Sequence, residues 1–294
     1  MRIIRFRDRE IVHVAVVDGE AIKIAPYDTV RQLLDMSGGS SAWIRNKMRS
    51  WEEVHVALDQ LNLLVPFELS EVWAAGVTYQ RSREARNYEA TGEVGNQTTF
   101  YDKVYDAKRP EIFFKATPLR TVGPGEAVAL RTDSTWQIPE PELGLVMNRE
   151  GSLIGYTIGN DMSCRDIEGE NPLYLPQAKV WKRSCAIGPT LLLADSITDI
   201  SDFTIHCQIT RNSNVLFNDS ASLKQLKRTP EELISYLLQD NEIEDFTVLL
   251  TGTCVVPDND FTLQEEDQID IEITNIGTLS NKVNSHQRTN KELV

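Results

Sequence analysis

Three carboxylates stand where a divalent cation could be held. Glu140 and Glu142 are two apart in Pro139-Glu140-Pro141-Glu142-Leu143-Gly144, and on an extended strand, whose side chains alternate between faces, both point the same way. Asp161 follows the apolar run Leu153-Ile154-Gly155-Tyr156-Thr157-Ile158, which reads as the neighbouring strand of a hairpin. Three converging carboxylates repel one another unless a cation or protons neutralise them, and an all-oxygen donor set suits Mg²⁺, Mn²⁺ or Ca²⁺ better than zinc. On the residues alone, an acidic strand rim in water is the competing reading, because E-x-E is common in acidic chains.

Other chemistries find less support. Cys164, Cys185, Cys207 and Cys254 are too few and too scattered for a disulfide framework, and none forms a C-x-x-C pair. His13, His55, His206 and His286 are equally dispersed, so spacing offers neither a zinc site nor a Ser-His-Asp arrangement. With 30 basic against 44 acidic residues the net charge is -14, which opposes attachment to nucleic acid or to an anionic membrane surface. The N-terminus lacks an apolar signal-like stretch and nowhere do eighteen apolar residues run together, so a soluble cytoplasmic protein is expected.

The elements that must position the carboxylates divide into two regions. Residues 1–68 open with β-like runs, the second and third joined at Asp18-Gly19 as a tight hairpin. Two amphipathic segments follow: Asp28 is the expected cap of a helix containing Val30, Leu33 and Leu34, and Ser41 to Trp51 repeats apolar residues at helical spacing. This reads as a small α+β domain without recognisable chemistry. In residues 69–294, β-patterned runs dominate, at 72–78, 111–116, 143–148, 153–160, 203–211, 247–251 and 268–274. One later helix is marked by the capping box Thr229-Pro230-Glu231-Glu232. The tail from Asn284 reads as polar and frayed. At 294 residues and 41% hydrophobic the chain can bury a large core, and the pattern predicts an α+β fold, predominantly β, with a rolled or barrel-like sheet.

Beyond residue 70 the chain resembles the fumarylacetoacetate hydrolase superfamily. The matching runs are Glu140-Pro141-Glu142-Leu143, Gly159-Asn160-Asp161-Met162-Ser163-Cys164-Arg165-Asp166, Lys179 with Cys185-Ala186-Ile187-Gly188-Pro189, Thr251-Gly252-Thr253, and Phe113-Phe114-Lys115 with Val122-Gly123-Pro124-Gly125. The resemblance implies a mixed β-roll, Glu140, Glu142 and Asp161 as ligands of Mg²⁺, a 2-oxo or diketo acid substrate, Thr253 as a substrate contact, and a homo-oligomer, dimer or tetramer. One block departs from the hydrolase members, which have a histidine where Ser82 stands. A serine without a base cannot activate water at neutral pH.

That departure, with Thr78-Tyr79, Arg81-Ser82-Arg83, Ala85-Arg86, the run Arg109 to Pro118 and Tyr174 to Lys179, resembles the branch of 2-keto-3-deoxy-D-arabinonate dehydratases. Such enzymes remove water from a 2-keto-3-deoxy pentonate to give 2,5-dioxopentanoate, for which no water nucleophile is needed. A cation chelated by the substrate's carboxylate and ketone would stabilise the enolate left when a C3 proton departs. Lys179 is the candidate base, since a neighbouring cation and desolvation lower an ammonium pKa. Glu111 is the candidate acid for the C4 hydroxyl, and the two roles could be exchanged. Ser82 and Arg83 are candidate substrate contacts, Arg86 a salt-bridge residue, and Lys115 a holder of a metal ligand. Residues 92–108, polar and glycine-flanked, read either as a segment closing over substrate or as a surface loop. Two alternatives stay open: a hydrolase or decarboxylase of acylpyruvate, fumarylacetoacetate or oxaloacetate using Glu84 or Glu89 as base, and a non-catalytic binding or scaffold protein.

Overall fold

The computed structural model describes residues 1–80, 88 and 100–285. Among them a mixed sheet of twelve strands carries the carboxylates. Its main order runs Glu52–Glu53, Ala21–Ile24, Ile11–Asp18, Arg2–Asp8, Cys185–Leu193, Leu153–Asp161, Pro141–Met147, Thr247–Thr253, Val72–Gly76, Glu111–Ala116. A five-stranded sheet, Asn214–Ser222, Thr204–Arg211, Gln268–Ile273, Gly277–Ser285 and Val128–Leu130, packs on one face of its centre. The chain is an α+β fold dominated by strands.

The centre of the large sheet is covered on both sides, which explains its sequence. Leu145, Ile158 and Leu249 belong to one core cluster with Ile205, Ile209, Ile269 and Ile271 of the smaller sheet. Val248 and Leu250 of the same strand turn the other way, into a cluster with Val30, Leu33 and Ile44 of the helices Val30–Ser37 and Ser41–Lys47. Strands buried on both faces read as continuous apolar runs rather than as alternation. Cys185–Leu193, buried throughout, is such a strand, and its Gly188-Pro189 pair gives it the look of a turn.

The hairpin expected at Asp18-Gly19 forms: Asp18 pairs with Ala21, and Gly19 takes φ 62. The cap of the first helix is Thr29, not Asp28, because the Thr29 side chain is the one that accepts from the Gln32 amide. Thr229 caps Pro230–Leu237 by accepting from the Glu232 amide. Helices also occur at Phe100–Asp106, Arg165–Glu170 and Leu175–Lys179; the first lies within residues 92–108, the segment read either as closing over substrate or as a surface loop. Of the tail read as frayed, Asn284 and Ser285 pair with Ala129 and Leu130; the rest lies outside the described residues. Arg2–Asp8 pairs antiparallel with Cys185–Leu193, so the strands of the first 68 residues extend the sheet that carries the carboxylates.

Candidate active site

Pro141–Met147 pairs antiparallel with Leu153–Asp161, Pro141 opposite Asn160 and Glu142 opposite Gly159. Glu140 stands just before the first strand and Asp161 ends the second, with the Asp161 amide donating to the Glu140 carbonyl at 2.9 Å. Asn160 accepts from the Glu140 amide at 3.2 Å, locking the turn of chain that carries the first carboxylate. Glu140, Glu142 and Asp161 each bring one oxygen to a cluster no wider than 4.8 Å. All three are buried.

Buried charges must be paired or shed their ionisation, and here the pairing is extensive. Lys179 Nζ, at the end of Leu175–Lys179, donates to Glu140 Oε2 at 2.5 Å, to Ser163 Oγ at 2.6 Å and to Asp161 Oδ2 at 3.1 Å. Lys115 Nζ lies 2.6 Å from Asp161 Oδ1 and donates to the Met162 carbonyl at 2.8 Å. Arg165 Nη2 donates to Glu140 Oε1 at 3.0 Å. Both ammonium groups also face aromatic rings, Lys115 that of Trp181 at 5.1 Å and Lys179 that of Phe113 at 5.6 Å.

Two of the carboxyls are driven in opposite directions. Burial pushes Asp161 up, but Lys115 and Lys179 overcome it and hold the group below the usual aspartate range. Among the described residues no lysine forms an ion pair with Glu142. Burial first, then the charges of Asp161 and Glu140, push it well above the usual glutamate range, against the pull of Lys179 and of the Gly252 amide that donates to it at 2.6 Å.

Above the cluster opens a pocket walled by Gly76, Val77, Phe113, Gly252 and Thr253, with Lys179 in its lining. Thr253 stands opposite Glu142 in the sheet, and its hydroxyl donates to the Val255 carbonyl at 3.2 Å. Glu111, first residue of Glu111–Ala116, pairs with Gly76, and its carboxylate occupies the space that a side chain at Gly76 would need. Ser82 and Arg83 lie outside the described residues, as do Arg81, Glu84, Arg86 and Glu89. Sequence reasoning misses Ser163 and Arg165; a signal is there for Ser163, two residues past Asp161 on an extended chain, whereas Arg165 opens the helix Arg165–Glu170, where strand alternation no longer applies. Three buried carboxylates offering oxygen only suit a hard cation such as Mg²⁺.

Residues 72–284 match the fumarylacetoacetate (FAA) hydrolase C-terminal family, and the chain belongs to it. Within that family, a probable 2-keto-3-deoxyxylonate dehydratase of Haloferax volcanii is 49% identical over 219 residues, 74% of each chain. The 2-dehydro-3-deoxy-D-arabinonate dehydratase of Saccharolobus solfataricus is 45% identical over 231 residues, 79% of this chain and 77% of that one. Among solved structures, 2-keto-3-deoxy-D-arabinonate dehydratase complexed with magnesium and 2,5-dioxopentanoate superposes with a TM-score of 0.84 at 37% identity, covering 98% of this chain and 100% of that one.

Proposed function

We propose that this chain is a Mg²⁺-dependent hydro-lyase that converts 2-keto-3-deoxy-D-arabinonate, or a similar pentonate, to 2,5-dioxopentanoate. The observation that carries the reading is the buried triad Glu140, Glu142 and Asp161 with Lys179 reaching two of its members, in a chain whose relatives at 49% and 45% identity are dehydratases of such acids. The two relatives' names differ less than they seem. Making C2 a ketone and removing the C3 hydroxyl erases the centres by which arabinonate and xylonate differ, so within one stereochemical series both describe one molecule.

Glu140, Glu142 and Asp161 would hold the ion. Bound there, a divalent cation would polarise the 2-oxo group, making the C3 protons acidic, and would take over the neutralisation of the three carboxylates. The chain's own residues do the rest. As found, Lys179 donates to two carboxylates and a hydroxyl, the contacts of an ammonium; relieved of them and shielded from water, its amine takes the C3 proton. Glu111 gives a proton to the departing C4 hydroxyl, or the two residues exchange these tasks. Loss of H from C3 and OH from C4 leaves a 3,4-unsaturated 2-oxo acid that keeps its C5 hydroxyl; loss of a C5 proton and protonation at C3 turn this into the C4=C5 enol, which takes a proton at C4 and becomes the 2,5-dioxo acid. Thr253, Ser82 and Arg83 contact the substrate. We further propose that residues 69–294 form the catalytic unit, with residues 1–68 a small α+β unit on the edge of its sheet, and that the enzyme is a cytoplasmic homo-oligomer of two or four copies.

Incubation of the protein and Mg²⁺ with 2-keto-3-deoxy-D-arabinonate and, in parallel, with an acylpyruvate tests this. Semialdehyde formation that is lost in Lys179→Met and Glu111→Gln is expected. Pyruvate release from acylpyruvate without dehydration would overturn it.

A further inference from the structure

The large sheet is interrupted beside the triad. Between Pro141–Met147 and Thr247–Thr253 the ladder passes from the Gly144–Leu250 pair to the Glu142–Thr253 pair, so Thr251 and Gly252 together stand opposite Leu143 alone. The parallel ladder on the other side of the same strand reaches only the Leu250–Ala74 pair. A bulge of this kind takes a peptide out of the regular pairing, and its polar groups need other partners.

Side chains supply them. The Thr78 hydroxyl donates to the Thr251 carbonyl at 2.6 Å, and the Gly252 amide donates to Glu142 Oε2 at 2.6 Å. A peptide unit is planar and trans, so its carbonyl and amide point in opposite directions. Thr78 and Glu142 therefore grip opposite edges of one rigid plate. Gly252 has φ 94, open to glycine, and a Cβ there would run into Thr78 Oγ1. Backbone freedom at Gly252 would let the plate rotate, and the Thr78 hydroxyl removes that freedom. Thr78 is in turn fixed: it is wholly buried, and its carbonyl accepts from the Lys227 amide at 3.1 Å. It follows Val77, which holds φ 52, a strained conformation for a β-branched residue.

We propose that Thr78 is a positioning residue for Glu142, acting through the Thr251–Gly252 peptide to hold that carboxylate at the angle a divalent cation requires. The inference rests on the metal reading of the triad. It concerns a residue that touches neither the ion nor the substrate.

Thr78→Val keeps the shape and removes the hydroxyl, while Thr78→Ser keeps the hydroxyl. In metal-free protein, hydrogen exchange at the Gly252 amide should quicken about tenfold in Thr78→Val, the effect of losing one hydrogen bond, and return toward wild type in Thr78→Ser. Amides of Leu145 and Leu249 should stay protected in both. Calorimetric titration with Mn²⁺ should show Thr78→Val binding about 10–100-fold more weakly, the range for lost partners of metal ligands, with Thr78→Ser restoring most of it. Unchanged Gly252 protection in Thr78→Val, unchanged Mn²⁺ affinity, or equal loosening at Leu145 and Leu249 would each overturn the proposal. Wild-type protein that takes up no Mn²⁺ would instead refute the metal reading and, with it, the ion-positioning role of Thr78. The Gly252 exchange would then still decide whether Thr78 fixes Glu142.

Discussion

Ion pairs occur toward one edge of the large sheet and at its centre, and they do different things. In the first 68 residues Lys23 meets Glu53 at 2.7 Å and Arg45 forks onto Asp18 at 2.6 and 3.0 Å, in both cases with solvent at hand. At the central hairpin Lys115, Lys179 and Arg165 meet Glu140 and Asp161 with almost no exposure. Exposed pairs gain little, because water already solvates both partners and salt screens them. Buried pairs cost desolvation, and removing one partner strands the other. Similar geometry at the surface is therefore dispensable, whereas in the core it is a commitment that apolar residues could have avoided. A fold that keeps such a cluster has a use for charge there.

That contrast can be broken by experiment. Lys115→Met should have the largest effect, since Asp161 loses the partner at its Oδ1: a destabilisation of about 3–5 kcal/mol by chemical denaturation, with loss of turnover. A cost no larger than that of Lys23→Ala would erase the distinction between the two regions.

Glu142→Gln should abolish turnover and Mn²⁺ uptake, yet stabilise chelator-treated protein at neutral pH. The sign follows from the raised folded pKa. The fold holds a proton that the unfolded chain releases above 4.5, so this contribution is full below that value and is lost as pH rises through the folded one. Glutamine removes the loss; relief of about 1 kcal/mol would raise the melting temperature by about 2–4 °C. Asp161 runs the other way. Depressed below 3.8, it contributes stability above that value and loses it as pH falls through its folded pKa. Metal-free protein should therefore be most stable in mild acid, as a series of melting curves against pH will show, and a mutant melting below wild type at neutral pH would contradict the assignment.

Gly76→Ala should act more locally. The added methyl takes the space of the Glu111 carboxylate, so turnover should fall about 10²-fold or more, as for a displaced acid catalyst, while Mn²⁺ affinity holds. Equal losses in both would mean that Glu111 serves the ion rather than the C4 hydroxyl. Lys23→Ala, the smallest case, should leave melting temperature and turnover at wild-type values.

The part of the site that obeys strand periodicity is legible in the amino-acid sequence alone. Glu140 and Glu142 share a face by the rule of two, and the neighbouring run delivers Asp161 beside them. The same rule, carried on from Asp161, leads to Ser163 but not to Arg165, which opens a helix. Other features have no local signature. Nothing near Thr251 announces that its strand will lie between Pro141–Met147 and Val72–Gly76, because the partner of a strand is chosen by packing far along the chain. Cys185–Leu193 hides behind its Gly-Pro pair, and Asn214–Ser222 behind its polarity as an edge strand. The Asp28 and Thr29 difference is a single-residue shift: either type can cap, and only the reach to the Gln32 amide decides.

The claim on which all of this depends is that Glu140, Glu142 and Asp161 hold an ion without which dehydration stops. Protein stripped with chelator and then titrated with Mg²⁺, with 2,5-dioxopentanoate followed throughout, tests it most directly. Turnover should be absent at the start, rise to saturation with added ion, and remain absent in Glu142→Gln. Undiminished conversion of 2-keto-3-deoxy-D-arabinonate in the stripped wild-type protein would contradict it.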